Sequence, residues 1–178
     1  RSIEDVFVTS ASGIVEIERL LPQKAVQIRE AHALATLYLE NALNNLTITP
    51  AQSELDPRTA RIIRDFFGVP SLGNVAVIPI KQVLADIYVH LVDPSLSPHS
   101  SARFVAGTNT TGHEQTNAFI FESDPLQRVF LSERFFSRPP NVRLKPLVFS
   151  RGSFNLGTHY RATTLIHEIS HVASGTHD

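Results

Sequence analysis

The chain has 178 residues, of which 42% are hydrophobic and 19% charged, and its net charge at pH 7 is −1. This composition is typical of a globular domain that buries its own core, and the low net charge gives no indication of a nucleic acid or an anionic membrane as partner. The sequence contains no Cys, so disulfides are excluded, and no apolar run approaches the length of a membrane span. We therefore expect a single domain over residues 1–178.

The N-terminal half has mainly helical patterns. Residues 1–21 carry short apolar alternations that fit either strands or an extended arm. From Pro22 to Leu46, apolar residues recur every three or four positions, which predicts a long helix with Pro in its first turn. His32 lies in this apolar stripe, where a single His is more often a packed core residue than a metal ligand.

Two further helices are predicted before residue 94. Asp56 and Pro57 are typical of an N-cap and first helical residue, and they predict a short helix that ends at Gly68. Pro79 predicts the start of a third helix, which ends at Asp93-Pro94. The helical part of the domain is therefore expected over about 22–93.

The second half changes to short β-type runs. Residues 104–106, 118–121 and 129–131 predict the strands of a small, mostly antiparallel sheet. The sheet and a C-terminal helix are expected over about 103–178, which gives an α+β fold. His159 and Tyr160 precede the central motif of this helix. A place in the cleft is one alternative for either residue, and helix-entry and capping contacts are the favoured one.

The sequence His167-Glu168-Ile169-Ser170-His171 has the pattern His-Glu-x-x-His. If the segment is helical, the two imidazoles lie one turn apart on one face and can bind a single zinc ion. Glu168 lies about 100° round the helix, where it can accept a proton from a water at the open position of the metal. In a chain of this composition the pattern is expected by chance about 0.02 times.

The residues around the motif support a helix with a buried side and a metal side. Apolar residues recur at helical spacing along one side; they are Leu165, Ile166, Ile169, Val172 and Ala173. Gly175 follows the last of them, where a left-handed helix cap is expected. A catalytic zinc needs a third protein ligand, and the spacing leaves two candidates open, His177 and Asp178.

The segments 164–171 and 175–178, the latter reading Gly-Thr-His-Asp, resemble the aspzincin zinc metallopeptidases, the group of deuterolysin and peptidyl-Lys metalloendopeptidase. That family pairs His-Glu-x-x-His with a downstream Gly-Thr-x-Asp-x-x-Tyr-Gly. The resemblance implies a zincin-like fold and Zn²⁺ held by His167, His171 and Asp178. It also implies Glu168 as general base and a protein or peptide as substrate. By the same resemblance, the protein is expected to be secreted or delivered outside the producing cell.

One part of the family pattern lies beyond Asp178. The family's Tyr, which stabilises the oxyanion, would follow this residue, and we expect the natural chain to continue and to supply it. Two other hypotheses remain open. The chain could be a catalytically impaired zinc-binding interaction module, or a toxin or effector domain of a larger protein.

Overall fold

The fold is described from a computed structural model, which covers residues 2–47, 55, 57–61, 74–137 and 156–175. The described helices and strands make an α+β arrangement, in which β1 is followed by helices and the other three strands come later, before the last two helices. The helices are α1 Ile14–Leu20, α2 Pro22–Asn45, α3 Asn74–Val92, α4 Glu133–Phe136 and α5 Leu156–Ser174. The strands are β1 Phe7–Ser12, β2 Phe104–Asn109, β3 Ala118–Ile120 and β4 Val129–Ser132.

The four strands form one mixed sheet in the order β1-β2-β4-β3. β1 pairs with β2 and β3 pairs with β4 in antiparallel fashion, whereas β2 and β4 are parallel. The expectation of a small sheet is confirmed, and the central parallel pair is the exception to its mostly antiparallel character. Gly107 lies in this crowded centre, where a Cβ atom would approach the Val8 carbonyl oxygen to 2.2 Å.

The main core lies between α2, α3, α5 and one face of the sheet. Phe104 and Leu131 contribute from the sheet, and Leu39, Leu91 and Leu165 contribute from the three helices. The other sheet face carries a smaller cluster in which aromatic rings meet edge to face; its buried members are Val6, Phe7, Val105 and Phe130. The alternation of buried side chains along β2 therefore supplies both clusters.

The N-terminal segment contains both a strand and a helix. Residues 7–12 form β1. Residues 14–20 form the helix α1, so the prediction of strands or an extended arm is wrong for this part of the chain. The chain turns between them at Gly13, whose φ of +85° lies in the region that favours glycine. The amide of Gly13 donates to the Phe104 carbonyl, and Ile14 and Ile17 are then fully buried, so tertiary contacts determine this helix.

The predicted helix starts are confirmed in part. α2 begins at Pro22 as expected, and residues 57–61 are helical; the predicted N-cap Asp56 and the predicted end at Gly68 lie outside the described residues. The prediction that Pro79 starts a helix is wrong, because α3 already begins at Asn74 and contains Pro79. Val77 is buried, so packing starts before the proline and outweighs the loss of one backbone hydrogen bond.

His32 is a core residue, as the sequence indicated. Its side chain is 9% exposed, and its Nε2 lies 2.8 Å from the Leu91 carbonyl oxygen. Because a carbonyl only accepts, Nε2–H is the donor and links α2 to the end of α3. Burial lowers the pKa of His32 below its ordinary value.

None of the helices in the described part of the chain combines the length and apolar character that a bilayer-spanning segment needs.

The burial of His32 predicts that the stability of the fold depends on pH. The folded state resists protonation of His32, while the unfolded chain takes up the proton below about pH 6.5. The free energy of unfolding should therefore fall as the pH drops below about 6.5, by at most about 1.4 kcal/mol per pH unit from this group. His32→Gln keeps an N–H donor and does not titrate, so it should flatten the profile.

Urea unfolding between pH 7.5 and 5 measures this effect. The control is His113→Gln, which makes the same substitution at a partly exposed turn histidine. An unaltered pH dependence in His32→Gln would contradict the assignment.

Candidate metal centre

Helix α5 has the buried side that the sequence predicted, and the two histidines of the motif lie on the opposite side. Leu165 and Ile169 are buried in the main core, where α5 packs against α2 and α3. His167 is exposed and His171 partly exposed on the other side of the helix. The helix ends at Ser174, and Gly175 follows with a φ of +60°, which confirms the predicted left-handed cap.

The imidazoles of His167 and His171 converge on one point. Their Nε2 atoms are 3.3 Å apart, and the two rings are nearly perpendicular, with centroids separated by 4.8 Å. Two nitrogen ligands on a tetrahedral zinc, each about 2.05 Å from the metal, lie about 3.3 Å from one another. The pair therefore fits two adjacent corners of a zinc coordination sphere, and a long N–H···N hydrogen bond is the other arrangement compatible with this distance.

Glu168 lies between the buried and open sides of α5. Its side chain is only 7% exposed, yet it lines a cleft of about 380 Å³ next to His167. The part of α5 that lines this cleft spans two turns, and the other wall is residues 115–118, which lead into β3. The carboxylate is therefore located where a group held in the cleft would meet it.

Hydrogen bonds from β4 hold the wall opposite α5. The Ser132 hydroxyl lies 2.7 Å from the Thr116 carbonyl oxygen and 2.9 Å from that of Asn117. The Ser132 amide also donates to the Asn117 carbonyl, and the Asn109 side-chain amide donates to that of Thr116. Fixed carbonyls give this wall a defined shape although it has no regular secondary structure before β3.

The sequence left Tyr160 between a place in the cleft and a helix-entry contact, and it did not indicate the 115–118 wall. Tyr160 lies within α5 and lines the cleft, so the expectation of a helix-entry contact is wrong for this residue. The seven-residue spacing from Tyr160 to His167 was the available signal, because it brings both to nearly the same helix face. His159 instead stacks on Tyr38 of α2 and accepts or donates a hydrogen bond there through Nδ1.

The third ligand falls in a segment that the structure does not describe. Both candidates, His177 and Asp178, follow Gly175, the last described residue. Within residues 2–47, 55, 57–61, 74–137 and 156–175, no group of three His, Cys, Asp or Glu side chains is arranged to hold a metal ion. The described part thus brings together His167, His171 and Glu168, and the assignment of Asp178 stays a prediction.

Comparisons of the chain with family models, curated proteins and solved structures gave no match.

The imidazole geometry predicts one zinc ion per chain. His167→Ala and His171→Ala should each abolish stoichiometric zinc in equilibrium dialysis with metal analysis, because each removes one of the converging nitrogens. His159→Ala is the control, since His159 lies on the same helix but bonds to Tyr38. If the pair is only an N–H···N hydrogen bond, the unaltered protein will bind no zinc, which would refute the metal site.

The two candidate third ligands are distinguished by one pair of variants. We expect Asp178→Ala to weaken zinc binding far more than His177→Ala, because the resemblance assigns the aspartate to the metal. The Kd for zinc, measured by competition with a chromogenic chelator, compares the two. Equal losses, or the reverse order, would favour His177 as ligand.

Proposed function

We propose that the protein is a zinc-dependent endopeptidase of the aspzincin type with a zincin-like fold. The single observation that carries the proposal is the 3.3 Å separation of the His167 and His171 Nε2 atoms beside the Glu168 carboxylate. Asp178 is assigned as third ligand from the family resemblance alone. An α+β domain with a mixed sheet next to the motif helix is compatible with this proposal.

In the proposed reaction, the metal and Glu168 have different roles in peptide hydrolysis. When bound, zinc supplies a Lewis acid that polarises the scissile carbonyl and lowers the pKa of a water. Glu168 accepts a proton from the attacking water and then donates it to the leaving amine. Its burial excludes bulk water from the carboxylate, so proton transfer is directed to the group held in the cleft.

The backbone of the substrate has a natural partner in β3. This strand is at one edge of the described sheet and packs against α5, next to the cleft. An extended peptide can add to such an edge through main-chain hydrogen bonds, as substrates do in zincins generally. Backbone recognition of this kind suits an endopeptidase, because it requires a chain on both sides of the scissile bond.

The test is Glu168→Gln, which keeps the shape of the side chain but removes the base. We expect unchanged zinc content and a fall in kcat of about 10²–10⁴, because general acid–base catalysis contributes rate enhancements of that order. Casein and a quenched fluorescent peptide are suitable substrates. Glu4→Gln, an exposed acid near the N-terminus, is the matched control and should keep full activity.

Two results would count against the proposal in different ways. Retained peptidase activity in Glu168→Gln would exclude this residue as the base. Zinc binding without cleavage by the unaltered protein would favour the catalytically impaired interaction module instead.

A further inference from the structure

The open edge of β3 determines how a bound peptide would be oriented. The Ser132 amide donates to the Asn117 carbonyl, and β3 continues from there in antiparallel register with β4. Because hydrogen-bonded pairs alternate along antiparallel strands, Phe119 bonds toward β4, whereas the backbone groups of Ala118 and Ile120 point to the edge. A peptide that adds to β3 therefore forms its main-chain hydrogen bonds with Ala118 and Ile120.

The side chains of such a peptide alternate between the two faces of the sheet. Ala118 belongs to the main core and lines the cleft, so the peptide residue opposite Ala118 faces the cleft. The next peptide residue lies opposite Phe119, which packs against the smaller cluster on the other face. In an antiparallel complex this second pair is the one without main-chain hydrogen bonds, and its Cβ atoms are about 5 Å apart. One substrate side chain is thus directed onto Phe119.

A cavity of about 160 Å³ lies on this second face of the sheet. Thr116 lines both the cavity and the cleft, so the two spaces flank the segment that leads into β3. The cavity is lined by Val6, Asn109, His113, Thr116, Phe119 and Phe121. An apolar cavity of about 150 Å³ is large enough to bind benzene, so this space admits a phenyl ring. None of the described residues that line it is Asp, Glu, Lys or Arg, which favours an uncharged occupant.

Neighbouring rings hold Phe119 in place. Its ring stacks on that of Phe130 with centroids 5.0 Å apart, and the rings of Phe7 and Phe121 meet it edge to face at 5.5 and 6.1 Å. Phe119 and Phe121 nevertheless remain partly exposed. An aromatic surface that is already fixed loses little conformational freedom on binding, and a further ring gains edge-to-face or stacked contacts with it.

We propose that Phe119, Phe121 and the cavity beside them form a specificity subsite for an aromatic side chain of the substrate, on the sheet face opposite α5. The side chain belongs to the residue next to the one that faces the cleft. This inference rests on the proposed peptidase function and names the substrates that the site prefers. A charged substrate residue is disfavoured at this position, because it would lose hydration without gaining an ionic partner.

The experiment uses quenched fluorescent peptides in which one Phe is moved along an otherwise neutral sequence, each with an Ala and a Glu counterpart. Mass spectrometry of the products locates the scissile bond. We expect kcat/KM to be about tenfold higher for Phe than for Ala at one position within two residues of that bond, and lower still for Glu. The positions on either side of it should not show this preference, because their side chains face away from Phe119.

Variants assign the preference to its residues. Phe119→Leu keeps an apolar side chain and Phe121→Ala removes a ring that follows the strand; each should reduce the ratio of Phe to Ala cleavage about threefold. Both lie on the face opposite α5, so zinc content should stay unchanged. Leu126→Ala is the control, because it removes an apolar side chain that is 62% exposed on a turn and does not line the cavity. Circular dichroism and thermal unfolding verify that each variant is folded.

A binding measurement separates this proposal from the peptidase proposal. The affinity of Glu168→Gln for labelled Phe and Ala peptides, measured by fluorescence anisotropy, reports the subsite without catalysis. Cleavage without a Phe preference, or a preference that survives both Phe119→Leu and Phe121→Ala, overturns the subsite and leaves the peptidase intact. A Phe preference in binding without any cleavage by the unaltered protein supports the subsite and overturns the peptidase. Absence of both cleavage and binding overturns both.

Discussion

The fixed rotation of α5 about its axis is the constraint on which the candidate site depends. Leu165 and Ile169 are enclosed in the core, so the helix cannot roll without opening cavities that cost several kcal/mol. This packing keeps His167 and His171 on the open side, with their Nε2 atoms 3.3 Å apart. Glu168, one residue further round, then faces the cleft from a nearly buried position. A rotation of about 100°, the angle per residue, would exchange these roles and dismantle the site.

The sequence was sufficient for features that depend on local periodicity. The buried side of α5 follows from apolar residues at helical spacing, and its end follows from the need for a glycine at the positive φ of Gly175. The start of α2 at Pro22 and the core position of His32 have the same local origin. The pairing of His167 with His171 required only that the segment be helical.

Long-range contacts account for what the sequence could not predict. The parallel pairing of β2 with β4 skips β3 in the chain order, and nothing in the individual strands specifies that choice. The wall at residues 115–118 is defined by hydrogen bonds from Ser132, which follows it by more than ten positions. Pro79 lies inside α3 because the burial of Val77 favours a helix that begins before the proline, which on its own indicates a helix start. In each case tertiary packing outweighed a local preference.

Zinc stoichiometry and peptide-bond cleavage, followed in one preparation through removal and return of the metal, test the central claim most directly. The account predicts one zinc per chain, loss of casein cleavage when a chelator removes it, and recovery when one equivalent is restored. Cleavage that persists without zinc would contradict the assignment of His167, His171 and Glu168, and so would a protein that binds no zinc.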